Sequence, residues 1–248
     1  MRVTFQLGNT LQVFRLGTTT NKKISMPKVK IVQTYTYSID QFEYVKSCLD
    51  NGLKTSFKDF FALDAANCFD CPFSSNSGTA KCYTHKFMQY SGFVSMLRSI
   101  VKEFGSLDNV PNYDDKTQRM LINIELAVMA KDRYVRFGSY GEPTMHPIVI
   151  VGMMSHVAKS YTGYTHQYVN KPQYNKWFMA STHNQLQANT ASDKFGFRSF
   201  IAVKDNNNVQ AVICPASNEG GFKTNCADCG LCSGVMGKTK KDIVILEH

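Results

Sequence analysis

What this chain lacks narrows its identity first. It has no apolar stretch of bilayer length: the longest run, Ile148 to Met154, is far shorter than the roughly 20 residues a membrane helix needs. The opening Met1-Arg-Val-Thr-Phe-Gln-Leu7 lacks the apolar core of a secretory leader, so we expect no export and a cytoplasmic location. No internal repeat, low-complexity tract or linker interrupts the sequence. There is also no block of like charge. The net charge of +9 is scattered, and its densest run is only Lys238-Thr-Lys-Lys241. That balance favours polyanionic partners such as nucleic acid or a nucleotide, but a solvated basic surface is the simpler reading. With 43% hydrophobic and 19% charged residues, the 248-residue chain is globular and long enough for one good core.

What is present is cysteine, and it is clustered. Seven of the eight cysteines fall into two groups, Cys68, Cys71 and Cys82 (C-x2-C-x10-C) and Cys214, Cys226, Cys229 and Cys232 (C-x11-C-x2-C-x2-C). A C-x2-C step lets two thiolates face one metal through a tight turn, and Cys226, Cys229 and Cys232 repeat that step. With Cys214 they complete a four-thiolate shell for zinc or an iron–sulfur cluster, a cysteine-rich C-terminal metal knot over 214–232. The first group has three thiolates, which leaves an open metal position unless His85, one helical turn past Cys82, completes a closed zinc shell. Disulfides are set aside, because nothing points to an oxidising compartment. Cys48 stands alone and reads as a buried small hydrophobe.

The hydrophobic pattern gives the fold class. Residues 1–55 read as an irregular N-terminal extension with strand-like pieces at Val3–Leu7 and Lys30–Tyr37 and a helix capped by Ser38. From Ser56 onward strands and helices alternate. Strands are expected at 57–63, 133–137, 161–166, 177–181, 197–203, 210–214 and 242–246, and helices at 83–104, 116–129, 147–159 and 183–194. Such alternation predicts an α/β domain over 56–248 with a mostly parallel sheet, as an incomplete or irregular (β/α) barrel. In that architecture functional groups gather on the loops after strand C-termini. The three-cysteine loop, Gly138–Pro143, Tyr164-Thr-His166 and Ser181-Thr-His183 all fall at such positions. His166 and His183 are therefore candidates to face inward, whereas His146 and His156 read as structural.

These motifs carry a resemblance. The cysteine triad ending in Cys82-Tyr83, followed by a Gly141-Glu-Pro143 after the next strand, resembles the radical S-adenosylmethionine (SAM) superfamily. The wider pattern, with Cys-Pro-Phe, Arg-Phe-Gly-Ser-Tyr-Gly-Glu-Pro, Thr-Gly-Tyr-Thr-His and the terminal cysteines, is similar to small bacteriophage proteins over residues 56 to 248. The resemblance implies a [4Fe-4S] cluster on Cys68, Cys71 and Cys82, with SAM on its open iron and its amino group near Tyr140, Gly141, Glu142 and Pro143. It further implies a catalytic, substrate-facing role for Tyr164, His166 and His183, an auxiliary cluster on the C-terminal cysteines, and the cytoplasm of a host cell. Two departures stand against it. The superfamily's common spacing is C-x3-C-x2-C, and its first glycine before Gly-Glu-Pro is here Tyr140.

Two classes of function follow. One is an iron–sulfur, radical-SAM-like enzyme acting on a nucleotide or nucleic acid. The other is a zinc-stabilised nucleic-acid-binding or interaction module in which both cysteine groups are staples.

Overall fold

The computed structural model describes residues 1–68, 71, 87–205 and 207–246. In chain order the elements are β1 (Arg2–Leu7), β2 (Thr10–Gly17), β3 (Ile31–Ser38), α1 (Ile39–Asp50), α2 (Phe57–Ala62), α3 (Ala65–Cys68), α4 (Phe87–Phe104) and α5 (Lys116–Ala130). They continue with β4 (Tyr134–Tyr140), α6 (Ile148–Val157), β5 (Ser160–Thr162), β6 (Tyr164–Thr165), β7 (Met179–Thr182), α7 (Gln185–Phe195), β8 (Ser199–Val203), β9 (Val212–Ile213), α8 (Cys226–Cys229) and β10 (Ile243–Leu246). None of the described helices is long and apolar enough to cross a membrane.

The strands form two five-stranded sheets, ordered β1-β2-β3-β4-β5 and β6-β7-β8-β10-β9. The second is parallel throughout. In the first, β1, β2 and β3 pair antiparallel, and β3, β4 and β5 pair parallel. The sheets do not close into a barrel.

A single residue, Gly163, separates β5 from β6. A Cβ there would lie 2.5 Å from Cδ1 of the buried Phe178, so only glycine lets that ring pack into the break. The parallel strands therefore follow one another in chain order through β3, β4, β5/β6, β7 and β8.

Two readings of the sequence change here. The first 55 residues are regular: they supply three strands and α1, and β3 is the first of the parallel strands. Residues 57–63, expected as that strand, are helix α2. Phe57, Phe60 and Phe61 recur at helical spacing, and the Ser56 side chain caps the first turn by accepting from the Asp59 N–H. Ser38 caps α1 in a reciprocal box with Gln41, as its position before the apolar run predicts.

Helices α5 and α6 cover one face of β3 and β4, where Val32, Val135 and Phe137 meet Ile122, Leu126, Ile150 and Met154. Helices α1 and α4 cover the other face near its upper end, around Tyr35, Tyr37, Phe42, Leu97 and Tyr140. In the second sheet α7 packs on Ile201, Val203 and Val244. The opposite face, bearing Tyr164, Met179, Phe200 and Ile243, is covered by the C-terminal cysteine segment.

His146, read as structural from sequence, is fully buried inside the first core. Its Nδ1 lies 2.6 Å from Gln12 Oε1, an acceptor, and its Nε2 lies 2.7 Å from the Thr34 hydroxyl. The Gln12 amide NH2 is committed to Thr10, which fixes the orientation of that amide. A neutral ring satisfies both contacts. Burial among Phe14 and Phe137 holds its pKa down at about 3.

In the unfolded chain this imidazole titrates near 6.5, so the unfolded state binds the extra proton first. His146 therefore contributes stability that is complete above about pH 6.5 and lost as pH falls toward 3. The loss is up to about 1.4 kcal/mol per pH unit. We expect the slope of unfolding free energy against pH between 4 and 6 to flatten by close to one proton in His146→Gln. Parallel slopes would show that the ring is already charged in the fold.

Candidate functional site

Asparagine sets the position of the first cysteines. The Asn67 side chain donates to Thr36 O at the end of β3 (2.9 Å), and its own carbonyl accepts from Glu142 N (2.8 Å) after β4. The residue is fully buried, so α3 is pinned where the two strands end. Gly141 makes this possible: at φ +78° its Cβ would lie 2.9 Å from Thr36 Cβ. Cys68 closes α3, and the Cys71 N–H donates to Cys68 O (3.1 Å), the tight turn expected of a C-x2-C step. Cys82, Tyr83, His85 and the ten residues between Cys71 and Cys82 lie outside the described residues.

Cys71 faces the end of β6. Its sulfur lies 3.7 Å from His166 Nδ1, and the His166 ring stacks on His183 at 5.8 Å between centroids. His183 follows β7, so the two histidines expected to face inward do meet, beside a cysteine of the first group. Burial, with a smaller contribution from His183, holds His166 neutral down to about pH 4. A buried neutral imidazole beside a thiol is a good ligand for a soft or borderline metal ion.

The Gly-Glu-Pro segment joins two strand ends. Glu142 is buried, and Oε1 accepts from the Thr144 N–H and hydroxyl (3.2 and 3.1 Å) while Oε2 accepts from His166 N (3.2 Å). The Thr165 hydroxyl bonds to the same carboxyl, whose pKa burial raises. These donors use most of the acceptor capacity of a carboxylate. Glu142 thus ties the end of β4 to the end of β6 and fixes the backbone of His166. Pro143 opens a 3-10 turn over Pro143–Met145. Tyr140 is buried among Phe60, Phe61 and Phe93, with its hydroxyl accepting from Gln41 Nε2 (2.7 Å). Both the Tyr140 and the Glu142 side chains are buried, with their polar atoms bonded to protein partners.

Tyr164 parts company with the histidines. Its ring packs on Phe200 at 4.3 Å, and its hydroxyl hydrogen-bonds Cys232. Residues two apart on a strand project from the same face about 7 Å apart. Tyr164 in β6 lies with the C-terminal cysteines, and His166, just past the end of the strand, lies beside Cys71.

The C-terminal cysteines gather on the face of the second sheet that α7 leaves uncovered. Cys214 and Cys232 are buried with Met179 and Ile243, and Cys226 packs against them. Asn225 caps α8 through Asp228 N, and Gly230 ends it with φ +62°. Ala227 sits against Ile31 and Tyr134, the first residues of β3 and β4, and its carbonyl accepts from Ser160 at the start of β5. The first cysteine group lies at the carboxyl ends of the strands, beside Asn67 and His166. The second instead reaches the amino ends of β3 to β5, because α8 is anchored there.

Burial pushes the Cys214 thiol up, and Cys229 adds to that shift. Burial first, then Cys214 and Cys229, push Cys226 up to about 11. Burial and the three neighbouring thiols raise Cys232 further. Thiols whose neighbours oppose their ionisation, as at Cys214, Cys226 and Cys232, form a donor set that a cation would relieve. Even so, no group of three or more His, Cys, Asp or Glu side chains among the described residues is arranged to hold a metal ion.

Sequence reasoning missed Arg198. Its guanidinium is buried and donates to the carbonyls of Leu231, Ser233, Gly234 and Lys241, which makes it the tie that holds the segment after Cys229. Only its place just before an apolar strand, where a long charged side chain must find acceptors or solvent, could have marked it.

Comparison with protein-family models, curated proteins and solved structures finds no match.

Proposed function

We propose that this protein is a metal-centred enzyme of the radical-SAM-like kind, an iron–sulfur protein built on an incomplete (β/α) barrel and acting on a nucleotide or nucleic acid. One observation carries the reading. Cys71, His166 and His183 meet at the carboxyl ends of successive parallel strands, where α/β folds hold their chemistry. Cys68, Cys71 and Cys82 would hold the first cluster, and the fourth position would be left for SAM. With Glu142 committed to Thr144, Thr165 and His166, the SAM amino group falls to nearby backbone carbonyls. The bound group would supply one-electron cleavage of SAM and a radical that takes hydrogen from the substrate. His166 and His183 would line the substrate side, with His166 held neutral by burial. Cys214, Cys226, Cys229 and Cys232 would hold a second metal, with Tyr164 and Arg198 ordering their segment.

A zinc-binding module without catalysis is the competing reading, and one distance favours it. Tetrahedral zinc with S and N ligands sets those atoms about 3.6 Å apart, close to the 3.7 Å between Cys71 Sγ and His166 Nδ1. His166 would then close the first shell, in the place the sequence offered to His85.

Anaerobic purification followed by metal analysis, a visible spectrum and assay for 5′-deoxyadenosine separates the two. Brown protein with about four irons per cluster and reductant-dependent deoxyadenosine supports the enzyme. Colourless protein with stoichiometric zinc and no cleavage of SAM overturns it.

A further inference from the structure

The positive charge that is scattered along the sequence is gathered by the fold. Residues 18–30 carry four lysines and no acid, and residues 214–241 carry four lysines against Glu219 and Asp228. These segments therefore hold six of the nine net positive charges of the chain. They are far apart in sequence and joined in space. The N–H groups of Cys226 and Ala227 donate to the carbonyls of Lys23 and Ile24, at 2.9 and 3.0 Å. Lys23 is near enough to lower the pKa of the Cys214 and Cys226 thiols. Lys238 Nζ would lie 3.6 Å from a Cβ at Gly230. Lys22, Lys28, Lys30 and Lys223 on the same lobe are solvent-exposed.

An aromatic side chain stands out in this setting. Phe222, beside Lys223, is 61% exposed and holds a left-handed backbone at φ +47°. That conformation is unfavourable for a bulky residue by about 1 kcal/mol, and such outliers persist where the surroundings fix them. Here the Phe222 and Lys223 N–H groups donate to Ser217 and Pro215 carbonyls, at 3.0 and 2.9 Å. The turn projects a phenyl ring into solvent beside Lys223.

We propose that this lobe is a binding face for single-stranded nucleic acid, with Phe222 stacking on a base and Lys22, Lys30 and Lys223 meeting phosphates. A ring among flexible cations is the arrangement that single-strand binders use, because every base offers a π-face and every phosphate a charge. An acidic protein surface would leave the ring without a planar partner. The inference gives the polyanion substrate of the proposed function a place. It needs no metal, so oligonucleotide binding and SAM cleavage can fail separately.

The test is fluorescence anisotropy with a labelled dT20 strand and the full chain across 50 to 200 mM salt, beside a sedimentation assay with phosphatidylglycerol vesicles. We expect binding of dT20 that weakens steeply with salt. Lys22, Lys30 and Lys223 replaced together by glutamine should lower the slope of log affinity on log salt by about 2. Phe222→Leu should weaken binding about tenfold with the slope unchanged, and Phe222→Trp should restore it. Absence of dT20 binding at 50 mM salt overturns the proposal. So does native-like binding by both the triple variant and Phe222→Leu, or capture by the vesicles in place of the strand.

Discussion

Cys71→Ala should abolish deoxyadenosine formation, a loss of at least about a thousandfold, while leaving the metal content of the C-terminal group unchanged. A cluster held by three thiolates has none to spare, and without it the electron has no route to SAM. The C-terminal group is anchored elsewhere: α8 docks on Lys23 and Ile24 and on the starts of β3 to β5. His166→Ala then separates the two metal readings. If the imidazole only lines the substrate side, the variant keeps its visible absorption and its uncoupled cleavage of SAM, and loses turnover of substrate. If the imidazole closes a zinc shell, the variant loses the first metal with no change in colour. Cys71→Ala protein that still cleaves SAM at the native rate would remove the first cysteine group from the chemistry altogether.

The strands and helices of this chain were legible wherever local pattern and local chemistry agreed. Ser38, Asp115 and Asn184 cap α1, α5 and α7 as short polar residues ahead of apolar runs do, and Gly196 ends α7 in the left-handed region. The parallel strands from 133 onward fell within a few residues of their expected places. Phe57 to Ala62 misled because three phenylalanines in six residues satisfy both the strand composition and the helical period. The N-terminal strands were undervalued because antiparallel strands added to a parallel core carry no sequence mark of their position in the sheet.

At the site, the sequence pointed to the residue types but not to their partners. That His166 and His183 converge is a consequence of β6 and β7 being neighbours, which follows from the parallel order. That Glu142 spends its carboxyl on Thr144, Thr165 and His166 could not be read from Gly-Glu-Pro, since Thr165 and His166 lie on another stretch of chain. Tyr140 and Tyr164 were ambiguous for the same reason. A tyrosine at a strand end serves a core or a ligand equally well until its hydroxyl partner is known.

Arg198→Met should cost the fold about 3 to 5 kcal/mol, enough to lower Tm by about 10 °C in a domain of this size. The side chain is 4% exposed and its three nitrogens reach four carbonyls, with the shortest contacts, 2.6 Å, to Ser233 and Lys241. Methionine matches the length of the stem and fills the space, so the loss is of the charged donors and not of packing volume. The Leu231, Ser233 and Lys241 carbonyls would then lose a charged donor together, while Gly234 O keeps the Gly237 N–H, and a bond from a charged group is worth more than a neutral one. The Asp242 carboxyl beside Arg198 accepts from Ser199 N. The carbonyls recover water only if the segment from Leu231 to Lys241 lifts away, and that movement would expose Cys232. The variant should therefore also show faster proteolytic cutting between Leu231 and Lys241 and faster reaction of Cys232 with a thiol reagent. Arg198→Lys should fall between the two, because one ammonium cannot span the Lys241 and Ser233 carbonyls in the fork geometry of a guanidinium. A Met variant as stable and as resistant as the native chain would mean that the segment is held by its other backbone bonds, from Gly234 and Met236 to the Trp177 and Lys176 carbonyls, and that the arginine only fills the gap.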